Sequence, residues 1–165
     1  MLVKPEAIIF DTDNTLYPYD PAHKAAMDAV YLKAEKKLNI SKKDFQKAFK
    51  EARERIKSQL GETASSHTRL LYFQKTIEIL GMKTQILFAL DFEQTYWRVF
   101  LLNCILFPGV KDFMQLIKSA GILTLNITDL TAQIQFRKLI YFELDSYFDY
   151  VVTSEEAGAD KPNKR

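Results

Sequence analysis

The chain has 165 residues, which is enough for one sizeable domain or for a small core with an insert. Apolar residues make up 47% of it and charged residues 27%, so an intrinsically disordered protein is excluded. Its 23 basic and 21 acidic residues leave a net charge of +2, which excludes nucleic-acid binding driven by overall charge alone. The basic side chains are concentrated in a run that predicts the solvated face of paired helices: Lys36, Lys37, Lys42, Lys43, Lys47 and Lys50.

Cysteine usage and hydropathy indicate the cellular setting. Cys104 is the only cysteine, and it lies in the apolar run 100–107, which predicts a buried and unreactive thiol. The residues before Asp11 contain no long apolar region of the kind found in a secretion signal. No stretch reaches the roughly 18 uninterrupted apolar residues that a membrane helix requires. We therefore expect a cytoplasmic protein whose partners include neither a membrane nor a nucleic acid.

The first half of the chain predicts one short strand followed by helices. Residues 7–10 form an apolar run that ends at a polar segment, which is typical of a buried strand opening into a loop. Between residues 21 and 103, apolar side chains recur at steps of three and four, which predicts a bundle of about four helices. The last of these helices carries Ile86, Leu90, Tyr96, Trp97 and Phe100.

The second half of the chain alternates between helices and strands. Pro108 and Gly109 end the helical segment, and an amphipathic helix begins at Val110. Strands are predicted at 122–127 and at 150–152, with a helix at 131–142 between them and an acidic loop at 154–160 after them. Strands that alternate with helices predict a parallel sheet. We therefore expect an α/β core made of 1–20 and 104–165, with residues 21–103 inserted as a helical unit.

Four polar side chains are predicted at the carboxyl ends of these strands, where parallel α/β sheets place their ligands. They are Asp11 and Asp13 after the first strand, Thr128 after the second and Lys161 in the loop after the third. A carboxylate can attack phosphorus, and a second carboxyl group can protonate the leaving oxygen and later activate water. A hydroxyl and an ammonium group can hold the phosphoryl oxygens. Two adjacent carboxylates also favour a hard cation such as Mg²⁺ between them.

The order of these residues resembles that of a known family. Residues 9–16, Ile-Phe-Asp-Thr-Asp-Asn-Thr-Leu, resemble the first motif of the haloacid dehalogenase superfamily, Asp-x-Asp-x-Thr after an apolar strand. Thr128 stands where that family has its second-motif hydroxyl, and Lys161 followed by Pro162 is similar to the third motif. The resemblance spans the whole chain. It implies a Rossmannoid parallel sheet core with an inserted α-helical cap, and a Mg²⁺-dependent phosphatase acting on a small phosphorylated metabolite or nucleotide.

The resemblance also implies a role for each of these residues. Asp11 would be the nucleophile and a magnesium ligand, and Asp13 would be the general acid and base and would bind the metal through its main-chain carbonyl. Thr15 would support the loop, and Thr128 and Lys161 would bind the phosphoryl group.

Two features depart from the family pattern. The residue after Thr128 is Asp129 rather than the usual Asn, although its main-chain amide can still serve the phosphate. The family's fourth motif, a Gly-Asp pair that supplies further magnesium ligands, is absent from the 165 residues. We therefore expect an incomplete core that holds magnesium weakly by itself and whose turnover is impaired in the 165-residue form. We also expect an exposed first strand, open to self-association or to a bound C-terminal piece.

Other functions remain open at this point. A haloacid dehalogenase proper uses the same attacking aspartate but lacks the second one, so Asp13 favours the phosphatase. A catalytically silent binding module is the other alternative, whereas a receiver domain has no room for the helical insert. The run from Asp13 to Pro18 resembles pyrimidine nucleotidase-like members. Cap residues would choose the substrate, and the candidates are Tyr17, Tyr19, Arg69, Tyr72, Tyr96, Trp97 and Arg98.

Overall fold

The computed structural model describes residues 4–163, and the chain divides into two units. One unit is Asp20–Asn103, and the other contains the residues before and after that segment. The predicted division placed the first boundary one residue later. The role of the helical unit as a cap stays a prediction. Within residues 4–163, no helix is both long enough and apolar enough to cross a membrane.

The helical unit contains four helices after the first strand, β1 (Ala7–Phe10): α1 (Tyr19–Leu38), α2 (Lys42–Leu60), α3 (Arg69–Ile79) and α4 (Ile86–Leu102). Helix α2 begins at a side-chain cap, because the side chain of Ser41 accepts a hydrogen bond from the amide of Asp44 at 3.1 Å. It ends at Gly61, which has a φ of 61° that glycine adopts without steric cost.

The core of the helical unit is aromatic. Phe45, Phe73, Phe92 and Tyr96 are fully buried, and their rings meet mainly edge to face, with 5.6 Å between the centroids of Phe45 and Phe92. One part of the predicted pattern is wrong, because Ile86 and Leu90 are 70% and 40% exposed. The buried stripe of α4 instead follows its large aromatic side chains, which turn the helix away from those two residues. Its members are Ala89, Phe92, Tyr96 and Phe100.

The second unit continues with α5 (Val110–Ser119), β2 (Leu123–Thr128), α6 (Ala132–Tyr141), β3 (Tyr150–Thr153) and α7 (Ser154–Ala157). The three strands form a parallel sheet in the order β1-β2-β3, as the alternation of elements predicts. The start of the predicted acidic loop is helical instead, because the side chain of Thr153 caps α7 by accepting from the amide of Glu156.

Strand β1 lies at one end of this sheet, as predicted, and pairs with β2 from Ala7↔Leu123 to Phe10↔Asn126. The side chain of Ile9 is exposed. Pairing of another strand with this edge stays a prediction. On β2, the buried positions alternate with more exposed ones and are all polar: Thr124, Asn126 and Thr128. The sheet therefore carries hydrogen-bonding groups towards its buried side, next to the loop that follows β1.

Candidate active site

The strand register brings the predicted polar residues to one edge of the sheet. Asp11 follows Phe10, which pairs with Asn126, and Thr128 lies two residues further along β2. Thr128 in turn pairs with Thr153, the last residue of β3. Because all three strands are parallel, their carboxyl ends meet at the same place.

Asp11 and Lys161 form an ion pair at this edge. The Nζ atom of Lys161 lies 2.7 Å from Oδ1 of Asp11 and also donates to the main-chain carbonyl of Ile127 at 3.0 Å. Both side chains are partly exposed, with 38% of the Lys161 side chain and 43% of the Asp11 side chain accessible. The pair is therefore within reach of a ligand arriving from solvent.

Asp129 fixes the loop that carries Lys161. Its Oδ1 atom accepts a hydrogen bond from the main-chain amide of Lys161 at 2.9 Å. Its own carbonyl accepts from the side-chain amide of Gln135 at 2.6 Å and, at a long 3.5 Å, from the hydroxyl of buried Thr128. The side chain of Asp129 thus accepts a hydrogen bond from the lysine loop, as the side-chain oxygen of the usual asparagine also could. A direct contact of Asp129 or Thr128 with a phosphoryl group stays a prediction.

The residue between the two candidate aspartates is anchored in the core. Thr12 is fully buried, and its hydroxyl shares a hydrogen-bonding contact with the side chain of Asn126, whose amide nitrogen lies 3.0 Å from Thr12 Oγ1. The same amide donates to the carbonyl of Phe10 at 3.3 Å. A buried polar group of β2 therefore holds the loop after β1 in place, and Asn126 finds hydrogen-bonding partners in that loop.

A tight turn begins at Thr12 and includes Asp13. The amides of Thr15 and Leu16 both donate to the carbonyl of Thr12, at 3.3 Å and 3.0 Å, and Asn14 adopts a φ of 61°. The side chain of Thr15 is exposed. The structure thus places Thr15 in the turn, and its predicted support of the loop stays a prediction.

Asp13 lies in a different environment from Asp11. Its Oδ1 atom is 2.6 Å from the ammonium of Lys138 on α6, and the hydroxyl of Tyr17 donates to the same oxygen. Burial, followed by the charge of Asp13, raises the pKa of Tyr17, so its hydroxyl stays protonated. Sequence reasoning missed Lys138 and treated Tyr17 as a possible cap residue. The available signal was a lysine four residues after Ile134 on the buried side of α6.

The other candidate substrate residues lie mostly inside the helical unit. Tyr72, Tyr96 and Trp97 are buried, and the guanidinium of Arg69 lies 5.3 to 5.8 Å from the centroids of their rings. This arrangement is cation–π packing. Arg98 is exposed, and the amide of Tyr19 donates to the side chain of Asn14. A role for any of these residues in choosing a substrate stays a prediction.

The donors at the sheet edge suit magnesium in kind. The carboxylate of Asp11 and the main-chain carbonyl of Asp13 are oxygen donors, which Mg²⁺ prefers, and this ion usually keeps several water ligands. Within residues 4–163, no three side chains of His, Cys, Asp or Glu gather in a way that would hold a metal. Binding of magnesium at these two donors stays a prediction.

Comparison with known proteins yields one family and several relatives. The family model for haloacid dehalogenase-like hydrolases matches residues 5–165. A ribulose-1,5-bisphosphate 5-phosphatase of Halopiger xanaduensis is 34% identical over 157 residues, covering 94% of this chain and 66% of that protein. A glyceraldehyde 3-phosphate phosphatase of Methanothermobacter thermautotrophicus is 30% identical over 164 residues, covering 97% and 67%. The chain thus spans about two thirds of the length of these relatives.

A solved structure shares the fold. The magnesium-bound crystal structure of the HAD-hydrolase YfnB from Bacillus subtilis aligns with a TM-score of 0.64 at 19% sequence identity. The alignment covers 98% of this chain and 69% of that one. At this level of identity, the similarity establishes the architecture, an α/β core with a helical unit, and nothing about the reaction.

Proposed function

We propose that this chain, which belongs to the haloacid dehalogenase-like hydrolase family, carries the active-site residues of a phosphomonoester hydrolase that works through an aspartyl phosphate. The observation that carries the proposal is the pairing of Asp11, at the carboxyl end of β1, with Lys161 at 2.7 Å. A carboxylate and a cation that meet there, partly exposed to solvent, are suited to attack a phosphoryl group and to neutralise its charge.

In the first half of the reaction, a carboxylate oxygen of Asp11 attacks phosphorus as the bond from phosphorus to the leaving oxygen breaks. The ammonium of Lys161 balances charge on the phosphoryl oxygens. The carboxyl group of Asp13 gives its proton to the leaving alkoxide, which departs as an alcohol. The products are the aspartyl phosphate on Asp11 and an ionised Asp13.

In the second half, Asp13 takes a proton from a water molecule as the water oxygen attacks phosphorus. The bond between phosphorus and Asp11 breaks, inorganic phosphate leaves, and both aspartates return to their starting protonation states. The anchoring of Thr12 on Asn126 supports this sequence, because it fixes the segment that carries both aspartates. The hydrogen bond from the Lys161 amide to Asp129 likewise fixes the lysine.

Magnesium is the cofactor that we propose for this site, held by the carboxylate of Asp11 and the main-chain carbonyl of Asp13. When bound, it would supply positive charge to the phosphoryl oxygens. Asp11, Asp13 and Lys161 perform the bond-making and proton transfers described above.

The names of the relatives support a substrate class. Two of the relatives are a ribulose-1,5-bisphosphate 5-phosphatase and a glyceraldehyde 3-phosphate phosphatase. We therefore place small phosphorylated sugars ahead of nucleotides as substrates. A dehalogenase remains the rival activity, but loss of a halide ion needs no proton donor, and Asp13 would then have no task in the reaction.

The proposal is tested by assaying phosphate release from ribulose 1,5-bisphosphate, glyceraldehyde 3-phosphate, a nucleoside monophosphate and 4-nitrophenyl phosphate. Each reaction is run with magnesium and with a chelator, and chloride release from 2-chloropropionate is measured in parallel. We expect phosphate release from a sugar phosphate that requires magnesium. Chloride release in the absence of any phosphate release would reject the proposal in favour of a dehalogenase.

A further inference from the structure

Lys138 occupies an unusual position for a lysine. It lies on the side of α6 that faces the interior, with Ile134, Gln135 and Leu139, and only 1% of its side chain is exposed. Lysine is rarely buried to this extent unless its charge is paired. Here the ammonium lies 2.6 Å from Oδ1 of Asp13, so a buried cation of one helix is directed at the candidate acid and base of a distant loop.

Tyr17, further along the same loop, makes a second contact with the carboxyl group of Asp13. It is fully buried, and its hydroxyl donates to the same Oδ1 atom of Asp13. The ammonium of Lys138 also lies 5.8 Å from the centroid of the Tyr17 ring, a cation–π distance. The tyrosine and the lysine therefore form one unit around a single carboxylate oxygen.

The backbone holds Tyr17 in this position. The amide of Asn14 donates to the carbonyl of Tyr17 at 3.0 Å, and the amide of Phe107 donates to the carbonyl of Leu16 at 2.9 Å. The Tyr17 ring packs on Phe142, just after α6, at 5.1 Å between centroids. These contacts with Asn14, Phe107 and Phe142 thus fix the Tyr17 hydroxyl within hydrogen-bonding distance of Asp13.

We propose that Tyr17 and Lys138 are positioning residues that hold the carboxyl group of Asp13 by its Oδ1 atom and direct its Oδ2 atom to the leaving oxygen of the substrate. This inference rests on the proposed function, because it assigns the proton transfer to Asp13. Two donors that meet on one oxygen fix the plane of the carboxyl group, and 34% of the Asp13 side chain is exposed for the exchange.

A role in positioning differs measurably from a role in folding. Losing the positioned acid slows the release of a poor leaving group more than that of a good one, since a good one departs without protonation. A general weakening of the fold slows both. Substituting Tyr17 or Lys138 should also no longer change the rate once Asp13 cannot transfer a proton. The effects of substitutions that act through the same group are not additive.

The experiment compares phenyl phosphate, a poor leaving group, with 4-nitrophenyl phosphate, a good one, for Lys138→Met and Tyr17→Phe. Each change is made in the wild-type protein and in an Asp13→Asn background. We expect kcat/KM, which reports only the steps up to formation of the aspartyl phosphate, to fall about tenfold or more for phenyl phosphate with each change and less than about threefold for the nitrophenyl ester. In the Asp13→Asn background, the same changes should alter kcat/KM less than about twofold.

Lys118→Met is the matched control, because Lys118 is an exposed lysine on α5 that donates to the carbonyl of Ser146. It should leave both substrates within about twofold of wild type. Equal losses on both esters, or losses that persist in the Asp13→Asn background, would overturn the positioning role while leaving the phosphatase intact. Tyr17→Phe removes a single hydroxyl, so it still decides the question if Lys138→Met fails to fold. Absence of phosphate release from the unaltered protein would reject the proposed function together with this role.

Discussion

Two aspartates that stand two residues apart are each paired with a lysine, and the two lysines differ in origin and surroundings. Lys161 comes from a loop and its side chain is 38% exposed, whereas Lys138 comes from a helix and its side chain is 1% exposed. An exposed ion pair is readily exchanged for a ligand, because water and ligand can take the place of either partner. A buried pair is fixed by the cost of leaving either charge alone.

The difference fits the tasks that we propose for the two aspartates. Asp11 must leave its lysine partner free to meet a phosphoryl group, so a partly exposed contact on a loop is suitable. Asp13 must present a proton in one direction, so a contact with a rigid buried helix is suitable. In this proposal, the lysine paired with Asp11 binds the phosphoryl group, and the lysine paired with Asp13 orients that carboxyl group.

The largest expected effect comes from the exposed pair. Asp11→Asn keeps the size of the side chain but removes the attacking carboxylate, so kcat for phosphomonoesters should fall at least about a thousandfold. Steady-state kinetics with 4-nitrophenyl phosphate, supported by an unchanged circular dichroism spectrum, would measure this. A variant that keeps more than about a tenth of wild-type activity would remove Asp11 from the role of nucleophile.

The next prediction compares how much each of the two ion pairs contributes to the free energy of unfolding. Asp13→Ala leaves Lys138 buried without its carboxylate partner, so the free energy of unfolding should fall by about 3 kcal/mol. Asp11→Ala, which breaks the exposed pair, should change it by less than about 1 kcal/mol. Urea unfolding would measure both values.

The double variant Asp13→Ala with Lys138→Met tests the cause of that loss. It removes the buried charge as well as its partner, so most of the lost stability should return. Equal destabilisation by the two alanine variants, or no recovery in the double variant, would show that the Lys138 pair is no more important to the fold than the exposed one.

A smaller effect is expected from the lysine of the exposed pair. Lys161→Met should raise KM for phosphomonoesters about tenfold and weaken inhibition by inorganic phosphate to a similar degree, because the phosphoryl oxygens lose a cationic donor. The free energy of unfolding should stay within about 1 kcal/mol of wild type. Initial-rate kinetics with added phosphate would measure this, and an unchanged inhibition constant would contradict the assignment.

A last prediction, which needs no substitution, concerns the buried surroundings of Asp13 and Lys138. Burial raises the pKa of Cys104 to about 12, while Lys138 lowers it and Asp13 raises it. The thiolate is the reactive form, so the thiol should react with a disulfide reagent at pH 8 at least about a hundredfold more slowly than free cysteine. The rate should rise about tenfold per pH unit from pH 7.5 to 9.5.

The control for this measurement is the same protein in urea, where the thiol should react like free cysteine. A rate that levels off near pH 9 would show that the thiol has an ordinary pKa. The interior beside the Asp13 pair would then be more open to water than the structure indicates.

Much of the fold could be predicted from local patterns. The apolar run at 7–10 predicts β1, and the polar residues that follow each strand predict where the strands end. Because carboxyl ends of parallel strands share one edge, the proximity of Asp11 and Lys161 also follows from the sequence. The four-helix segment is evident from its three- and four-residue periodicity. The exposed positions of Ile86 and Leu90 could not be predicted, because periodicity does not show which large side chains will occupy the interface.

The Asp13 environment could not be predicted for a different reason. Asp13 and Lys138 are 125 residues apart in sequence. No local pattern shows which face of α6 will be turned towards the loop that carries Asp13. A lysine on an apolar stripe usually extends its ammonium to solvent, and the sequence does not distinguish that case from a buried ion pair. Tyr17 has the same difficulty, since its hydroxyl is directed by a turn whose geometry depends on Asn14 and Phe107.

The central claim is that Asp11 becomes phosphorylated during turnover. Borohydride reduces an aspartyl phosphate to homoserine, and Asp13→Asn should slow hydrolysis of the intermediate enough for it to accumulate. The Asp13→Asn protein, mixed with a phosphomonoester substrate, quenched and reduced, is digested and sequenced by mass spectrometry. We predict homoserine at position 11, only when substrate is present. Homoserine at another aspartate, or none while phosphate is still being released, would contradict the account.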